Sequence, residues 1–275
     1  YSQEQESVAD SYALRYLDES CYDNLGIKEV FDYFRSIEQE NTEVYFRTHP
    51  LSDKRLLAVQ SYKVKNNVKP ISTEQLSKFE RMVAKLESFF APIHVLSSKY
   101  ENSDKISEYV DSIISYRQGR VGDAVTQIDL LIQESYDDPY LYELKAEMLY
   151  KSGKLSEVVK VYEESLKYLP DNNSHLIKLA LSHTLLLHGD VKKAIFYLEQ
   201  ILNIEPNNAL VWKYLSIAYE RNADMAMYYF ALTKKACIEG NLKQFMKYAE
   251  LTINTLPKGS SYLLQVEDMK EYKKK

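Results

Sequence analysis

The fold of this chain is set out in residues 139–170, PYLYELKAEMLYKSGKLSEVVKVYEESLKYLP, where two amphipathic segments flank a turn. Tyr142 and Ala146 lie one helical turn apart in the first segment, and the small residue lets two helices approach each other. Gly153 suits the turn because glycine tolerates positive φ. Pro170 ends the second segment because proline lacks the N–H that a helix interior needs. The stretch therefore predicts a helical hairpin.

The hairpin pattern recurs with a regular period. Glycines return at intervals of 34 and 36 residues, at Gly119, Gly153 and Gly189. Small or branched apolar residues follow each glycine by five positions, at Ala124, Val158 and Ala194. Prolines end the second and third of these units, at Pro170 and Pro206. This period is typical of the tetratricopeptide repeat, in which each hairpin buries its apolar face against the next. The alternative is an unrelated helical bundle with chance spacing.

The repeat region is less regular towards its end. A further unit begins at Asn207, and a degenerate hairpin is predicted over about Met225 to Leu256. A last helix from Ser261 is expected to cap the stack. We therefore predict an all-α fold, with a tetratricopeptide superhelix and its capping helix over residues 104–275.

Bulk composition excludes several classes of function. The net charge of −5 and the pI near 5.7 give no basic surface for nucleic acid. No apolar run approaches the ~18 residues that span a bilayer. The two cysteines, Cys21 and Cys237, are too far apart in sequence for a metal or redox motif. The 24 tyrosines suit half-buried helix faces and binding grooves.

The repeats contain no recognisable catalytic motif. None of the five histidines belongs to a His-Glu-x-x-His pair, and no phosphate-binding glycine loop is present. The first helix of each tetratricopeptide hairpin lines the inner face of the superhelix, where a polypeptide would bind. When the inner face of each first helix is assigned from the repeat pattern, the predicted peptide-binding residues are Tyr109, Tyr116, Arg117, Tyr140, Glu143, Tyr150, Lys151, His183, Glu220 and Arg221. The alternative is that these tyrosines are ordinary surface residues of a Tyr-rich protein.

The first 60 residues carry a different pattern. Glu6 and Asp10 are four positions apart, which places both carboxylates on one helix face. Alone, such a pair is most simply a solvated acidic face. It is followed, however, by YLDESCYD at 16–23 and by THPLSDKR at 48–55.

In this order, Glu-x-x-Ala-Asp, a helix ending in a Gly-Tyr-Asp-like turn and His-Pro-x-x-x-x-Arg, the chain resembles the zinc metallopeptidases of the HtpX and BepA type. Members of the BepA-like branch carry tetratricopeptide repeats after the catalytic domain. The resemblance implies that Glu6 is the third zinc ligand and that Asp10 orients a histidine ligand from the second shell of the site. It also implies that His49 approaches the metal and that Arg55 is a nearby cation.

This chain departs from the family pattern at two points. Cys21 stands where the family usually has glycine. The His-Glu-x-x-His helix, with two zinc ligands and the glutamate base, is missing from the sequence. Zn²⁺ is therefore expected in a longer parent protein, with none bound by this chain alone.

The chain begins at Tyr1 without an initiator Met, and we interpret it as a piece of a longer protein. We assign residues 1–68 to the end of a zinc peptidase domain, 69–103 to a connecting helix and loop, and 104–275 to the repeats. The resemblance implies a periplasmic endopeptidase of envelope-protein quality control, with outer-membrane proteins or their assembly machinery as partners. The rival interpretation is a non-enzymatic adaptor whose repeats bind a partner protein.

Overall fold

The computed structural model of the protein describes residues 3–38, 53–101 and 104–274, and every regular element in these ranges is helical. This confirms the predicted all-α class. The chain divides into two compact units, residues 1–79 and 80–275. The division falls inside the segment that the sequence assigned to a connector. None of the described helices is both long enough and apolar enough to cross a membrane.

Over its described residues, 3–38 and 53–79, the first unit has three helices and the start of a fourth. These are α1 (Gln3–Glu19), α2 (Leu25–Glu38), α3 (Asp53–Ser61) and the first residues of α4 (Thr73–Phe90). Four buried apolar side chains of these helices pack together: Leu14, Phe31, Leu56 and Val59. Polar contacts also position the helices of this unit.

Asp18, near the end of α1, holds the segment that follows α3. Its carboxylate accepts hydrogen bonds from the backbone N–H of Asn66, at 2.9 Å, and of Lys65, at 3.1 Å. The hydroxyl of Tyr62 donates a further bond at 3.0 Å. The side chain of Asn66 returns a bond to the carbonyl of Asp18. A buried carboxylate with these donors fixes the path of residues 62–66.

The second unit is a run of antiparallel helices. After α4 come α5 (Ile93–Tyr100), α6 (Asp104–Arg117), α7 (Val121–Glu134), α8 (Pro139–Lys151), α9 (Leu155–Leu166), α10 (His175–His188), α11 (Val191–Leu202), α12 (Ala209–Arg221), α13 (Met225–Ile238), α14 (Leu242–Thr255) and α15 (Ser261–Lys274). From α6 onward consecutive helices pair into hairpins, and each hairpin packs against the next. The predicted repeat architecture is therefore present.

The hairpin predicted over about Met225 to Leu256 is present, because α13 and α14 pack against each other there. The sequence prediction missed the tight turn at Ala223, through which α13 also packs against α12. Ala223 has φ of 58°, and it follows Gly189, with φ of 98°, by the repeat interval of 34 residues. The turn position was missed because alanine replaces the glycine that marks it elsewhere.

In helix α4 the fully buried side chains are small, whereas several large apolar side chains are exposed. Ala84 and Ser88 are fully buried on its inner face, whereas Met82, Leu86 and Phe90 are 51%, 55% and 84% exposed. The helix is attached to the hairpins by charge: Arg81 pairs with Asp138, and Lys85 pairs with Glu143. Small residues, ion pairs and the ring of Phe89, which packs edge-to-face against Tyr116 with centroids 6.4 Å apart, thus form its contact with the repeats.

Candidate functional site

Glu6, Asp10 and Arg55 form a buried charged cluster in the first unit. Asp10 accepts hydrogen bonds from Nε and Nη2 of Arg55, at 2.6 and 2.9 Å. Nη2 of Arg55 is also 3.4 Å from Oε2 of Glu6. The side chains of Arg55, Asp10 and Glu6 are only 8%, 12% and 14% exposed. The structure therefore brings together three of the four peptidase-site residues that the resemblance suggested.

The geometry of this cluster follows from local structure. Glu6 and Asp10 are one turn apart on α1, so both carboxylates point toward α3. Arg55 lies in the first turn of α3, and its Cζ lies 5.6 Å from the centre of the Phe31 ring on α2. The bidentate pairing fixes the Asp10 carboxylate in one orientation, because the guanidinium fork matches both oxygens. Two carboxylates thus share one guanidinium.

The cluster by itself is not a zinc site. A catalytic zinc takes three protein ligands and leaves one position open. Among the described residues, no group of three or more His, Cys, Asp or Glu side chains is placed to hold a metal ion. The carboxylate of Glu6 is suited to be one zinc ligand. The carboxylate of Asp10 is suited to orient a second zinc ligand. His49 lies outside the described residues, so its position relative to this cluster is not part of the structure.

Cys21 adopts the backbone conformation expected of the residue it replaces. Its φ is 62°, in the left-handed region that favours glycine. Its carbonyl accepts a hydrogen bond from the N–H of Lys69 at 2.9 Å. A left-handed turn is thus formed here with a cysteine.

In the second unit, several predicted groove residues lie together. Tyr150 on α8, His183 on α10 and Tyr214 on α12 form a series of neighbouring rings, with centroids 6.1 and 5.2 Å apart. We call these three residues the aromatic ladder. Beside it, Nζ of Lys151 lies 4.7 Å from the ring centre of Tyr116. Side chains from four hairpins therefore share one face.

Other predicted groove residues have structural roles, which corrects the sequence prediction. Tyr109 is only 3% exposed and belongs to the core between α6, α7 and α8, where burial raises the pKa of its hydroxyl. Arg117 donates to the carbonyls of Ser88 and Ala91, both at 2.7 Å. Arg221 donates to the carbonyl of Leu186. These side chains stabilise the packing of the helices. The sequence prediction placed them in the groove because helical phase alone does not distinguish a core position from its neighbour.

The remaining predicted groove residues are accessible to differing degrees. Glu143 is half-buried and pairs with Lys85 at 2.5 Å. Tyr140 is 50% exposed and Glu220 is exposed. Two residues of this face were missed, Glu147 and Tyr214. Glu147 could have been found from its spacing, since it lies four residues after Glu143 and four before Lys151 on the same helix.

Comparison with known proteins separates the two parts of the chain. The model of peptidase family M48 matches residues 1–63. None of the curated proteins is similar enough in sequence to match the chain. Two solved structures are similar, MamA 41-end from Desulfovibrio magneticus RS-1 and the MamA RS-1 ArsTM double mutant, at 19% and 18% identity and a TM-score of 0.46. Each alignment covers 62% of this chain and 97% of the other.

The likeness to these two structures is distant, so the repeat fold of this chain rests on its own hairpins and their period. The M48 match covers residues that contain Glu6, Asp10 and Arg55. Residues 1–63 are therefore similar to the M48 metallopeptidases, and a stack of helical hairpins follows them along the chain.

Proposed function

We propose that residues 1–63 supply one ligand and the supporting residues of an M48-type zinc endopeptidase site, and that the hairpins hold its polypeptide substrate or partner. The observation that carries the first part is the cluster of Glu6, Asp10 and Arg55 within the region that matches the M48 family. Glutamate is a common zinc ligand in peptidases, together with two histidines.

In this proposal the chain's own residues have distinct roles. Glu6 would bind the metal through its carboxylate, and Asp10, fixed by Arg55, would orient a histidine ligand. The two histidines and the glutamate base belong to a His-Glu-x-x-His helix, which does not occur within residues 1–275. When bound, zinc would lower the pKa of a water molecule to the range in which it can attack a peptide carbonyl.

The hairpins support the second part of the proposal. Their aromatic ladder offers rigid rings with polar tips, and tyrosine is enriched at binding hot spots. We also propose, from the family resemblance, that the parent protein acts in the periplasm on envelope proteins, with outer-membrane proteins or their assembly machinery as partners.

The test uses the protein expressed from its complete reading frame. Glu6→Gln is expected to abolish zinc retention and casein cleavage, because a neutral amide is a poor zinc ligand. Asp10→Asn should reduce activity by about 10–100-fold, as for other outer-shell partners. Glu4→Gln is the matched control, since Glu4 is an exposed glutamate on the same helix. Zinc is measured by atomic absorption after dialysis against a mild chelator.

A second candidate function is a non-enzymatic adaptor. It is favoured by the ion pair of Glu6 with Arg55, which gives the carboxylate a structural partner without any metal. A complete reading frame without His-Glu-x-x-His, or an unaltered complete protein that neither retains zinc nor cleaves casein, would leave the adaptor as the better explanation. Full zinc content with normal cleavage in Glu6→Gln would instead show that Glu6 is not a zinc ligand.

A further inference from the structure

Glu147 is placed unusually among the charged residues of the hairpins. It lies on α8, half-buried, and it takes part in no hydrogen bond or ion pair with any residue that the structure describes. Burial is the main reason that the pKa of its carboxyl is raised, with a further increase from the charge of Glu143 and an opposing effect of Lys85. A carboxylate in this position has lost water without gaining a partner.

The nearby cations are already engaged. Lys85 forms its ion pair with Glu143 at 2.5 Å. Lys151 is one turn beyond Glu147, the spacing at which a Glu–Lys pair usually forms on a helix. Instead, its ammonium group lies over the ring of Tyr116 on the neighbouring hairpin. Glu147 and Lys151 therefore carry opposite charges on the same helix without forming an ion pair with each other.

The groups around Glu147 are aromatic. Lys151, four residues after Glu147 on α8, has its ammonium group over the ring of Tyr116, so Glu147 and Tyr116 border the same face. Tyr150, the first ring of the ladder, is on the same helix, three residues further on. The position of Lys151 shows that the face of Tyr116 is open to an ammonium group. A carboxylate beside open aromatic faces is complementary to a cation, which gains a charge-assisted hydrogen bond and a cation–π contact together.

We propose that Glu147, with the rings of Tyr116 and Tyr150, forms a subsite for a lysine or arginine side chain of a bound polypeptide. The inference rests on the proposed polypeptide-holding function of the hairpins and gives it a selectivity. An incoming side chain displaces Lys151 from Tyr116 and pairs with Glu147. An acidic side chain is disfavoured at this position because the carboxylate of Glu147 repels it.

The test compares short fluorescein-labelled peptides of Ala, Ser and Leu with one central residue, which is Lys, norleucine or Glu. The full chain should bind the Lys peptide about 10-fold more tightly than the norleucine peptide, since a hydrogen bond to a charged group is worth that much. Glu147→Gln should remove this preference while leaving the norleucine affinity unchanged. Lys151→Met should tighten binding of the Lys peptide about two- to fivefold, because the internal competitor is gone.

Glu250→Gln, an exposed glutamate on α14, is the matched control and should bind all three peptides as the unaltered chain does. Equal binding of the Lys and norleucine peptides, or a Lys preference that survives Glu147→Gln, would overturn the subsite but leave the polypeptide-holding function intact. If none of the peptides binds, the polypeptide-holding function and the subsite both fail. Zinc retention in the complete protein is measured separately and is unaffected by either result.

Discussion

Arg55 donates two hydrogen bonds to Asp10, at 2.6 and 2.9 Å, although 45 positions separate the two residues in the chain. The pair joins α3 to α1 in the unit that also contains the buried apolar cluster of Leu14, Phe31, Leu56 and Val59. Both groups are almost completely removed from water. Loss of Arg55 would remove both of these hydrogen bonds from the Asp10 carboxylate, and a buried charge without its partner is costly in a protein interior.

Arg55→Met is therefore expected to destabilise the first unit by about 3–5 kcal/mol. Hydrogen exchange of the α1 and α3 amides measures this loss. Arg15→Met is the control, because the ion pair of Arg15 with Glu19 is 56% and 57% exposed and such pairs contribute less than about 1 kcal/mol. Similar losses in the two variants would show that the Arg55 cluster does not stabilise the unit.

Asp18 should make the segment after α3 sensitive to acid. The N–H of Asn66 is the largest cause that lowers the pKa of this carboxyl below its usual 3.8, and Lys65 and Tyr62 donate as well. A lowered folded-state pKa means that the carboxylate stabilises the fold above the unfolded pKa, and that this contribution is lost as the pH falls through the folded pKa. Amide NMR signals of Lys65 and Asn66 should therefore shift in a transition below pH 3.8. In Asp18→Asn this transition should disappear; its persistence would assign it to another group.

The turn at Ala223 should be improved by glycine. A non-glycine residue in the left-handed region costs about 1–2 kcal/mol, and glycine loses part of that gain to its greater chain entropy. Ala223→Gly should therefore stabilise the second unit by about 0.5–1 kcal/mol, and Gly189→Ala should destabilise it by a similar amount. Trp212, the one tryptophan of the chain, reports the unfolding of this unit by fluorescence in urea. A loss of stability in Ala223→Gly would contradict the backbone argument.

The same reasoning applies to Cys21, with φ of 62°. Cys21→Gly should stabilise the first unit by about 0.5–1 kcal/mol, provided that the thiol makes no essential contact. Slower exchange of the Lys69 amide, which donates to the Cys21 carbonyl, is the expected readout. Faster exchange would mean that the cysteine side chain contributes packing that outweighs the strained turn.

Tyr109 and Tyr150 were predicted to line the same groove, and the structure separates them. Tyr109 is 3% exposed in the core, whereas Tyr150 is 38% exposed beside His183. Tyr109→Ala should cost about 3–5 kcal/mol, as for other large aromatic side chains removed from a core. Tyr150→Ala should stay within about 1–2 kcal/mol and weaken peptide binding instead. Urea unfolding followed by Trp212 fluorescence measures the free energy of unfolding of each variant. Equal losses of stability in the two variants would place Tyr150 in the core as well.

Much of the fold could be read from local sequence. Glycines at the repeat interval, small residues at fixed offsets and prolines at helix ends predicted the hairpins before any contact was known. These signals are local because each hairpin packs against its sequence neighbours. A turn is missed where the residue that signals it is replaced, as at Ala223, where alanine occupies a turn position that glycine occupies in other repeats.

The candidate site could be predicted only in part. The residue types of Glu6, Asp10 and Arg55 were suggested by a resemblance, but their mutual hydrogen bonds required α1 and α3 to be brought together. The exposed face of α4 and the burial of Tyr109 were also decided by packing, because a helical period gives the relative angle of side chains and not which side faces a neighbour. The sequence alone therefore determined the helices, their pairing and their period. Which charges meet, and which tyrosines remain open to a ligand, was decided by the tertiary structure, since ion pairs and burial depend on residues distant in the chain.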